Sequence, residues 1–175
     1  MTLKFNKYQA TGNDFVILDN RDKSFPKNDQ DLIARICDRK FGIGGDGLIL
    51  IEDSEQASFK MIYFNADGGL GSFCGNGSRA ATRYAQSLGL IDKTGSLLAY
   101  DGLHSVEIES NFIKIQMRDV QYGRNVLHGT FIDTGSPHYV ELSNNVGSID
   151  VFTKGKHLRH NEEFKPEGTN INFDA

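Results

Sequence analysis

Three things are scarce in this sequence of 175 residues: cysteine, long apolar runs and an excess of basic charge. A membrane-spanning helix needs about 20 consecutive apolar residues, and the sequence contains no such run. The N-terminus also lacks the apolar core of a signal peptide. The formal net charge is −4, with acidic and basic residues interspersed, which argues against a basic face that binds nucleic acid. We therefore expect a cytoplasmic protein that associates with neither membranes nor nucleic acids.

The two cysteines, Cys37 and Cys74, have different surroundings. In a reducing compartment both are expected to be free thiols rather than a disulfide. Cys37 adjoins Leu32, Ile33 and Ile36, which mark the apolar side of a predicted helix, so we interpret it as a small core residue. The cysteines and the five histidines show no zinc-binding spacing, so no metal site is predicted.

Apolar periodicity predicts an α+β protein in two parts, residues 1–118 and 119–175. In the first part, the strands are expected to curl around one main helix. The second part has strand patterns but few helix signals, and it includes a polar, charged stretch at residues 154–167. It is therefore expected to be the incomplete start of a second domain.

Two helices are predicted in the first part of the chain. One follows a turn at residues 26–31 and ends near Lys40, and the main helix covers residues 78–88. Residues 105–109 and 112–117 alternate apolar and polar side chains and predict a hairpin. The other predicted strands are residues 3–9, 15–18, 48–51, 58–64, 97–100, 130–133, 138–142 and 169–173.

The glycine-rich segment Gly42-Ile43-Gly44-Gly45-Asp46-Gly47 lies between a predicted helix and a predicted strand. A dinucleotide-binding fingerprint needs the order strand, glycines, helix, and the segment also contains no P-loop lysine. We interpret it as a helix C-cap with a tight turn into a strand, and a place at the border of a site stays open for it.

Cys74 lies between a predicted strand and the main predicted helix, in the run Cys74-Gly75-Asn76-Gly77. A helix N-terminus attracts anions and lowers the pKa of a thiol, which suits a thiolate that acts on a carboxylate-bearing substrate. The amides of Gly75 and Asn76 can bind a carboxylate, and the side chains of Asn65 and Asn76 can bind an amino or carboxylate group. The structural alternative is a glycine-rich turn that only caps the helix.

A second polar cluster is Ser136-Pro137-His138. A histidine is a natural partner for tuning a thiol. A histidine at the start of a strand is also common as a hydrogen-bonded structural residue, so both interpretations of His138 stay open.

Six segments of the chain resemble diaminopimelate epimerase, the pyridoxal-phosphate-independent epimerase family of lysine and peptidoglycan biosynthesis. They include the run from Cys74 to Arg79, with the sequence Cys-Gly-Asn-Gly-Ser-Arg. One short match is weak evidence, whereas these six follow the family's order and extend from end to end of the chain. The segments are residues 11–16, 39–49, 64–68, 74–79, 135–138 and 166–170.

The resemblance implies a diaminopimelate epimerase-like fold of two similar α/β domains that face each other across a cleft. Each domain contributes one cysteine: one thiolate removes the α-proton, and the opposite thiol protonates the other face, with no cofactor and no metal. The resemblance implies that Cys74 is one of these catalytic residues, that the substrate is the small molecule diaminopimelate, and that His138 modulates the cysteine pKa. The implied substrate-binding positions are Asn13, Asn65, Gly75, Asn76 and Asn170.

The chain departs from the family pattern in three places. Ser136 stands where many members have asparagine, and residues 68–72 replace a more polar stretch before the cysteine. The family's second catalytic motif, Cys-Gly-Thr/Ser-Gly preceded by Glu-Arg-Gly, does not occur in these 175 residues, and the surroundings of Cys37 do not match it. We therefore expect the chain to be the N-terminal portion of such an enzyme and to lack epimerase activity by itself.

Three other functions stay open. A proline racemase-like enzyme shares the fold group, but such enzymes carry histidine where this chain has Asn76. A cysteine hydrolase would need Cys74, His138 and oxyanion donors in contact. The chain could also be a non-catalytic assembly module, and an exposed cleft face then predicts self-association into a homodimer.

Overall fold

The structure is a computed structural model that describes residues 3–120 and 122–175. The chain divides into two compact units, Met1–Gln116 and Met117–Ala175. That the second unit starts a domain similar to the first stays a prediction. Among the described residues, no helix is both long and apolar enough to cross a membrane.

The first unit is built on a seven-stranded mixed sheet in which the strands lie side by side in the order of the sequence. Its strands are β1 (Asn6–Ala10), β2 (Asn13–Asp19), β3 (Gly47–Glu52), β4 (Phe59–Asn65), β5 (Thr94–Ala99), β6 (Gly102–Glu109) and β7 (Phe112–Ile115), and its helices are α1 (Gln30–Cys37) and α2 (Gly75–Ser87). The pairs β2–β3 and β4–β5 are parallel, and the other neighbouring pairs are antiparallel.

Helix α2 lies on the inner face of this sheet. It contacts both edge strands, β1 and β7, as well as β2, β3 and β4, so the sheet must curl around it. The period of two along β2 points Phe15 and Ile17 to the inner face, where they share a buried cluster with Ala81 and Ala85 of the helix. The predicted curl of strands around one main helix is confirmed.

Helix α1 covers the outer face of the sheet. The alternate β2 residues Val16 and Leu18 share a second buried cluster with Ile33, Ile36 and Cys37 of the helix. Cys37 is 2% exposed, and burial raises the pKa of its thiol to about 11. The interpretation of Cys37 as a core residue is confirmed.

The second unit contains a four-stranded sheet with one helix against it. Its elements are β8 (Arg124–Val126), β9 (Gly129–Asp133), β10 (Pro137–Leu142), helix α3 (Val151–Arg159) and β11 (Asn170–Asp174), with 3-10 turns at Val146–Ser148 and Glu162–Phe164. The strand order is β11-β10-β9-β8, and only the β10–β11 pair is parallel. Helix α3 contacts β11, and the buried cluster holds Val126, Tyr139, Leu158 and Phe164.

Two helix boundaries differ from the predictions. Helix α1 ends at Cys37 rather than near Lys40, because the side chain of Asp38 accepts hydrogen bonds from the backbone N–H groups of Lys40 and Phe41 and turns the chain. Helix α2 begins at Gly75, three residues before the predicted start, because the Cys74 side chain already caps it.

The polar stretch at residues 154–167 was not predicted to be helical, and this was wrong for its first part. Helix α3 begins after Asp150, whose carboxylate accepts a hydrogen bond from the backbone N–H of Thr153 at 3.0 Å. Leu158 is the one residue of this helix that is buried, so the apolar periodicity that reveals a helix is nearly absent from the sequence. Strand β8 was also missed, and β1 begins at Asn6 rather than at residue 3.

Candidate active site

The strand register brings polar residues together at one edge of the first unit, where strands β2 and β3 begin and strand β4 ends. Gly47, the first residue of β3, pairs with Phe15 on the parallel strand β2 and with Asn65 at the end of the antiparallel strand β4. Asn13 at the start of β2 and Asp46 immediately before β3 therefore lie at the same edge as Asn65.

Cys74 lies at this edge, at the N-terminus of helix α2. It is the N-cap residue of the helix, and its Sγ accepts a hydrogen bond from the backbone N–H of Gly77 at 3.3 Å. The same Sγ lies 3.9 Å from Oδ1 of Asn13. The predicted location of Cys74 at a helix N-terminus is confirmed, and the structure brings it together with Asn13.

The pKa of the Cys74 thiol is set by two opposing influences. Burial raises this pKa above its ordinary value, whereas the amides of Gly77 and Asn76 and the charge of Arg79 lower it by less. The expectation that the helix terminus gives Cys74 a low pKa is therefore wrong, because desolvation of the thiolate outweighs the amide donors. Cys74 is accordingly a thiol at neutral pH.

Asn13 is held in one orientation by Asp46. Nδ2 of Asn13 donates to Oδ2 of Asp46 at 2.8 Å, and the same oxygen accepts the backbone N–H of Asp14 at 3.0 Å. The hydrogen bond from Asn13 is the main influence that lowers the pKa of the Asp46 carboxyl. With its nitrogen engaged, Asn13 turns its side-chain oxygen toward Cys74.

Asp46 belongs to a cluster of charged side chains. Nη2 of Arg39 lies 2.7 Å from Oδ1 of Asp46 and 2.7 Å from Oδ1 of Asp14, and Nζ of Lys7 lies 2.7 Å from Oδ2 of Asp14. Lys7 also donates to the carbonyl oxygen of Gly44. Hydrogen bonds from Arg39 and Lys7 hold the pKa of the Asp14 carboxyl well below its usual range. The glycine-rich segment therefore borders the site through Asp46.

Tyr63 of β4 fills the space beneath this edge. Its ring fits against Gly47 and Gly71, where an added Cβ would lie 2.5 Å and 2.3 Å from ring atoms. The ring meets Phe15 edge to face, with centroids 5.9 Å apart. Burial, and to a lesser extent repulsion by a Cys74 thiolate, raises the pKa of the Tyr63 phenol, so this group stays neutral beside the cysteine.

The remaining predicted binding residues of the first unit flank Cys74 in sequence. Asn65 ends β4 with an exposed side chain, and Oδ1 of Asn76 lies 3.5 Å from Nη1 of Arg79. A Cβ added at Gly75 would meet only Arg79 Nη1, at 3.5 Å, so the backbone is open on that side. The first turn of α2 thus has room for a ligand to approach its amides, and the binding roles of Asn65, Gly75 and Asn76 stay predictions.

In the second unit, His138 and Asn170 are register partners on the parallel strands β10 and β11. Nδ2 of Asn170 donates to the carbonyl oxygen of Pro137 at 3.0 Å. Nδ2 of Asn172 lies 3.2 Å from the carbonyl oxygen of Tyr139, 3.3 Å from that of Asn170 and 3.2 Å from Nδ1 of His138. The two carbonyl oxygens need donors, so the nitrogen of Asn172 faces them. A protonated Nδ1 of His138 would set two donors against each other, so Nδ1 is the unprotonated ring nitrogen. The neutral His138 ring therefore carries its proton on Nε2.

Three side chains around Cys74 were not identified as site residues from the sequence: Asp46, Arg39 and Tyr63. The available signal for Asp46 was its position directly before a strand, in a glycine-rich segment interpreted as a turn. Arg39 begins the resembling segment at residues 39–49, and no role was assigned to it from the sequence. Tyr63 had no signal, since a tyrosine within an apolar strand pattern is typical of a core.

The acidic residues near the site are engaged by cations rather than grouped for metal binding. Asp14 pairs with Lys7 and Arg39, and Asp46 pairs with Arg39. Over residues 3–120 and 122–175, no cluster of three or more His, Cys, Asp or Glu side chains is arranged to hold a metal ion.

Comparison with known proteins shows the family. The sequence model described as diaminopimelate epimerase matches residues 5–123, which is more than half of the chain. The chain belongs to the diaminopimelate epimerase family. The diaminopimelate epimerase of Flavobacterium psychrophilum is 42% identical over 172 residues, which cover 98% of this chain and 67% of the relative. That of Chlorobaculum tepidum is 43% identical over 175 residues, covering 94% of this chain and 66% of the relative. The chain thus spans about two thirds of the length of these diaminopimelate epimerases.

Solved structures with low sequence identity share the fold. A probable proline racemase from Agrobacterium radiobacter superposes with a TM-score of 0.58 at 11% identity, covering 90% of this chain and 57% of that one. A hydroxyproline epimerase from Agrobacterium vitis gives a TM-score of 0.58 at 12% identity, covering 84% of this chain and 53% of that one. The predicted diaminopimelate epimerase-like fold is confirmed. The proline racemase-like alternative is not favoured, because the family match and the more similar relatives are diaminopimelate epimerases.

Proposed function

We propose that this chain supplies one half of the acid/base pair of a diaminopimelate epimerase, which interconverts LL- and meso-2,6-diaminopimelate in lysine and peptidoglycan biosynthesis. Cys74 is the acid/base group of this half. The observation that carries the proposal is the position of Cys74 as the N-cap of α2, with its Sγ 3.9 Å from Asn13 and next to the open backbone at Gly75.

The chemistry needs this kind of site. An α-proton beside a carboxylate is a very weak acid, so the site must stabilise the carbanion that forms when the proton leaves. Backbone amides at a helix N-terminus can hold the carboxylate and stabilise the developing charge without an electron sink. We assign this role to the amides of Gly75 and Asn76, and Asn13, Asn65 and Asn170 complete the proposed binding set.

Inversion of configuration requires a proton donor and a proton acceptor on opposite faces of the α-carbon. The sequence contains two cysteines, and Cys37, the last residue of helix α1, is buried in the core. Cys37 therefore cannot serve as the opposite thiol. We expect no epimerase activity from the 175 residues alone, and we assign the adjustment of cysteine reactivity to His138.

The proposal is tested with a fusion of this chain to the last third of the Flavobacterium psychrophilum relative, the region in which the resemblance places the second cysteine motif. The fusion and the 175-residue chain are each incubated with LL-diaminopimelate in D2O. The meso form and deuterium at the α-carbon are followed by NMR. We expect the fusion to form meso-diaminopimelate and the chain alone to form none.

Two cysteine variants of the fusion give the matched control. Cys74→Ala should abolish formation of the meso form, whereas Cys37→Ala should retain it because Cys37 lies in the core. Retained epimerisation in the Cys74→Ala fusion would overturn the assignment of Cys74. Substantial turnover by the 175-residue chain would overturn the two-thiol requirement.

Two further features belong to the same proposal. A biosynthetic enzyme of this kind acts in the cytoplasm, and we assign the protein to that compartment. We also propose that it forms a homodimer, which light scattering across a concentration series would detect as a doubling of the mass. A constant monomer mass at high concentration would contradict the dimer.

A further inference from the structure

The side-chain amide of Asn13 lies between an acid and a thiol. Its nitrogen donates to Oδ2 of Asp46 at 2.8 Å, and its oxygen lies 3.9 Å from Sγ of Cys74. We propose that Asp46 is a positioning residue which, through Asn13, holds Cys74 as a thiol until a ligand engages Asn13. The inference rests on the proposed role of Cys74 in proton transfer.

The orientation of the Asn13 amide is fixed by the carboxylate. An ionised carboxylate offers only acceptors, so it can pair with the nitrogen of Asn13 but not with its oxygen. Asp46 is itself held in place, because Oδ2 also accepts the backbone N–H of Asp14 at 3.0 Å and Oδ1 pairs with Arg39 at 2.7 Å. A rotation of the Asn13 amide would bring two oxygens together and is therefore disfavoured.

The fixed amide discriminates between the two forms of Cys74. The oxygen of Asn13 can accept the S–H of the thiol, but it repels a thiolate. The amide N–H of Gly77, 3.3 Å from Sγ, favours the thiolate instead. Among the other ionisable groups, the charge of Arg79 lowers the pKa of Cys74, the charge of Asp46 raises it directly, and Tyr63 stays neutral beside the sulfur. Through Asn13, Asp46 therefore adds to the effect of burial in favouring the thiol form, without touching Cys74 itself.

A ligand with a hydrogen-bond donor can release this restraint. The ammonium group of an amino acid would donate a hydrogen bond to the side-chain oxygen of Asn13, and its positive charge would also stabilise a thiolate at Cys74. Because Asp46 keeps the oxygen of Asn13 turned to the site, Asn13 is selective for the ammonium group and not for the carboxylate. Loss of the Cys74 proton is thereby linked to arrival of the ammonium group.

A direct charge effect of Asp46 on Cys74 is the competing explanation, and a double-mutant cycle separates the two. All variants carry Cys37→Ala, so that Cys74 is the one thiol that reacts. The rate of alkylation by iodoacetamide is measured from pH 6 to pH 11 for the parent and for the Asp46→Asn, Asn13→Ala and doubly substituted chains. Far-UV circular dichroism confirms that each variant is folded.

We expect the Asp46→Asn and Asn13→Ala changes each to lower the midpoint of the alkylation profile by about one pH unit. The rate well below the midpoint should rise only about threefold, because a thiol of lower pKa is a weaker nucleophile. In the Asn13→Ala background, Asp46→Asn should add little. Asp14→Asn is the matched control, since Asp14 also pairs with Arg39 but its carboxylate makes no bond to Asn13, and it should shift the midpoint less than Asp46→Asn.

Two results would overturn the inference. One is a shift of the alkylation midpoint by Asp46→Asn that is equally large in the parent and in the Asn13→Ala background, which would indicate a direct charge effect. The other is an Asn13→Ala profile with an unchanged or raised midpoint, and this result decides the matter even if Asp46→Asn does not fold. Alkylation needs no turnover, so either result leaves the epimerase proposal to its own test.

Discussion

Gly77 donates its backbone N–H to the sulfur of Cys74 at 3.3 Å, so one thiol both closes the first turn of α2 and serves as the proposed acid/base group. An N-cap side chain satisfies an amide that has no partner within the helix. The structural and chemical roles of Cys74 are therefore superimposed, and they can be separated by substitution.

Replacing Cys74 by serine should leave the free energy of unfolding unchanged or raise it by up to about 1 kcal/mol, because serine is a preferred N-cap residue. Replacing Cys74 by alanine should lower it by about 1 kcal/mol, since the amide of Gly77 loses its acceptor. Urea unfolding at neutral pH measures both changes. Equal stabilities for the serine and alanine variants would show that the contact contributes nothing to the helix.

The carboxylate of Asp14 should make stability depend on pH in the acid range. Arg39 and Lys7 depress the pKa of the folded-state carboxyl from its ordinary value of 3.8. The stability gained from Asp14 is therefore fully present above about pH 4 and is lost as the pH falls toward the folded-state pKa. We expect Asp14→Asn to cost about 1 kcal/mol at pH 7 and progressively less below about pH 4.

Urea unfolding at pH 7, 4, 3 and 2 tests this dependence. The matched control is Asp119→Asn, which removes an exposed carboxylate from the other unit and should leave the parent profile unchanged. A difference between the parent and Asp14→Asn that stays constant down to pH 2 would contradict the assignment.

The contact between Asn172 and His138 predicts a single tautomer. Nitrogen-15 NMR of the neutral His138 ring should show the proton on Nε2 in the parent chain. In Asn172→Ala the Nδ1 position loses its donor, so the ring should become a mixture of the two tautomers. His104 is an internal reference for a protonated Nδ1 only, because both of its ring nitrogens face acceptors: Nδ1 lies 2.9 Å from the carbonyl oxygen of Gln116, and Nε2 lies 3.0 Å from Oδ1 of Asp101. A parent spectrum with Nδ1–H at His138 would contradict the hydrogen-bond assignment.

The strands of the first unit were predictable because their sequences show the apolar and alternating patterns that are typical of buried and half-buried strands. Residues 15–18 are apolar without interruption, as expected for a strand covered on both faces, and β2 is buried there by α1 and α2. The β6–β7 hairpin was predictable from alternation and from the two-residue turn at Ser110-Asn111, where Ser110 adopts a φ of 52°.

The helices were harder to predict where caps rather than apolar periodicity determine them. The first turn of α2 contains Gly75 and Gly77, which are weak helix formers, and the capping contact of Cys74 starts the helix there. Helix α3 has polar residues around most of its surface and buries only Leu158, so its sequence resembles a solvated segment.

The contact between Asn13 and Asp46 could not be predicted from the sequence, because 33 positions separate the two residues. It follows from the parallel register that sets Phe15 opposite Gly47. Local patterns predict strands but not which strands pair or in which register. The residues that flank Cys74 in sequence were therefore found, whereas its neighbours across the sheet were not.

The contact of α2 with both edge strands has a consequence for how the protein is made. Helix α2 ends at Ser87, but strand β7, one of its packing partners, begins at Phe112. During synthesis on the ribosome, the helix is thus complete well before its apolar side can be fully covered. We expect the part of α2 that packs against β7 to stay exposed in the nascent chain until β7 has emerged, and a chaperone would find the most apolar surface to bind during this interval.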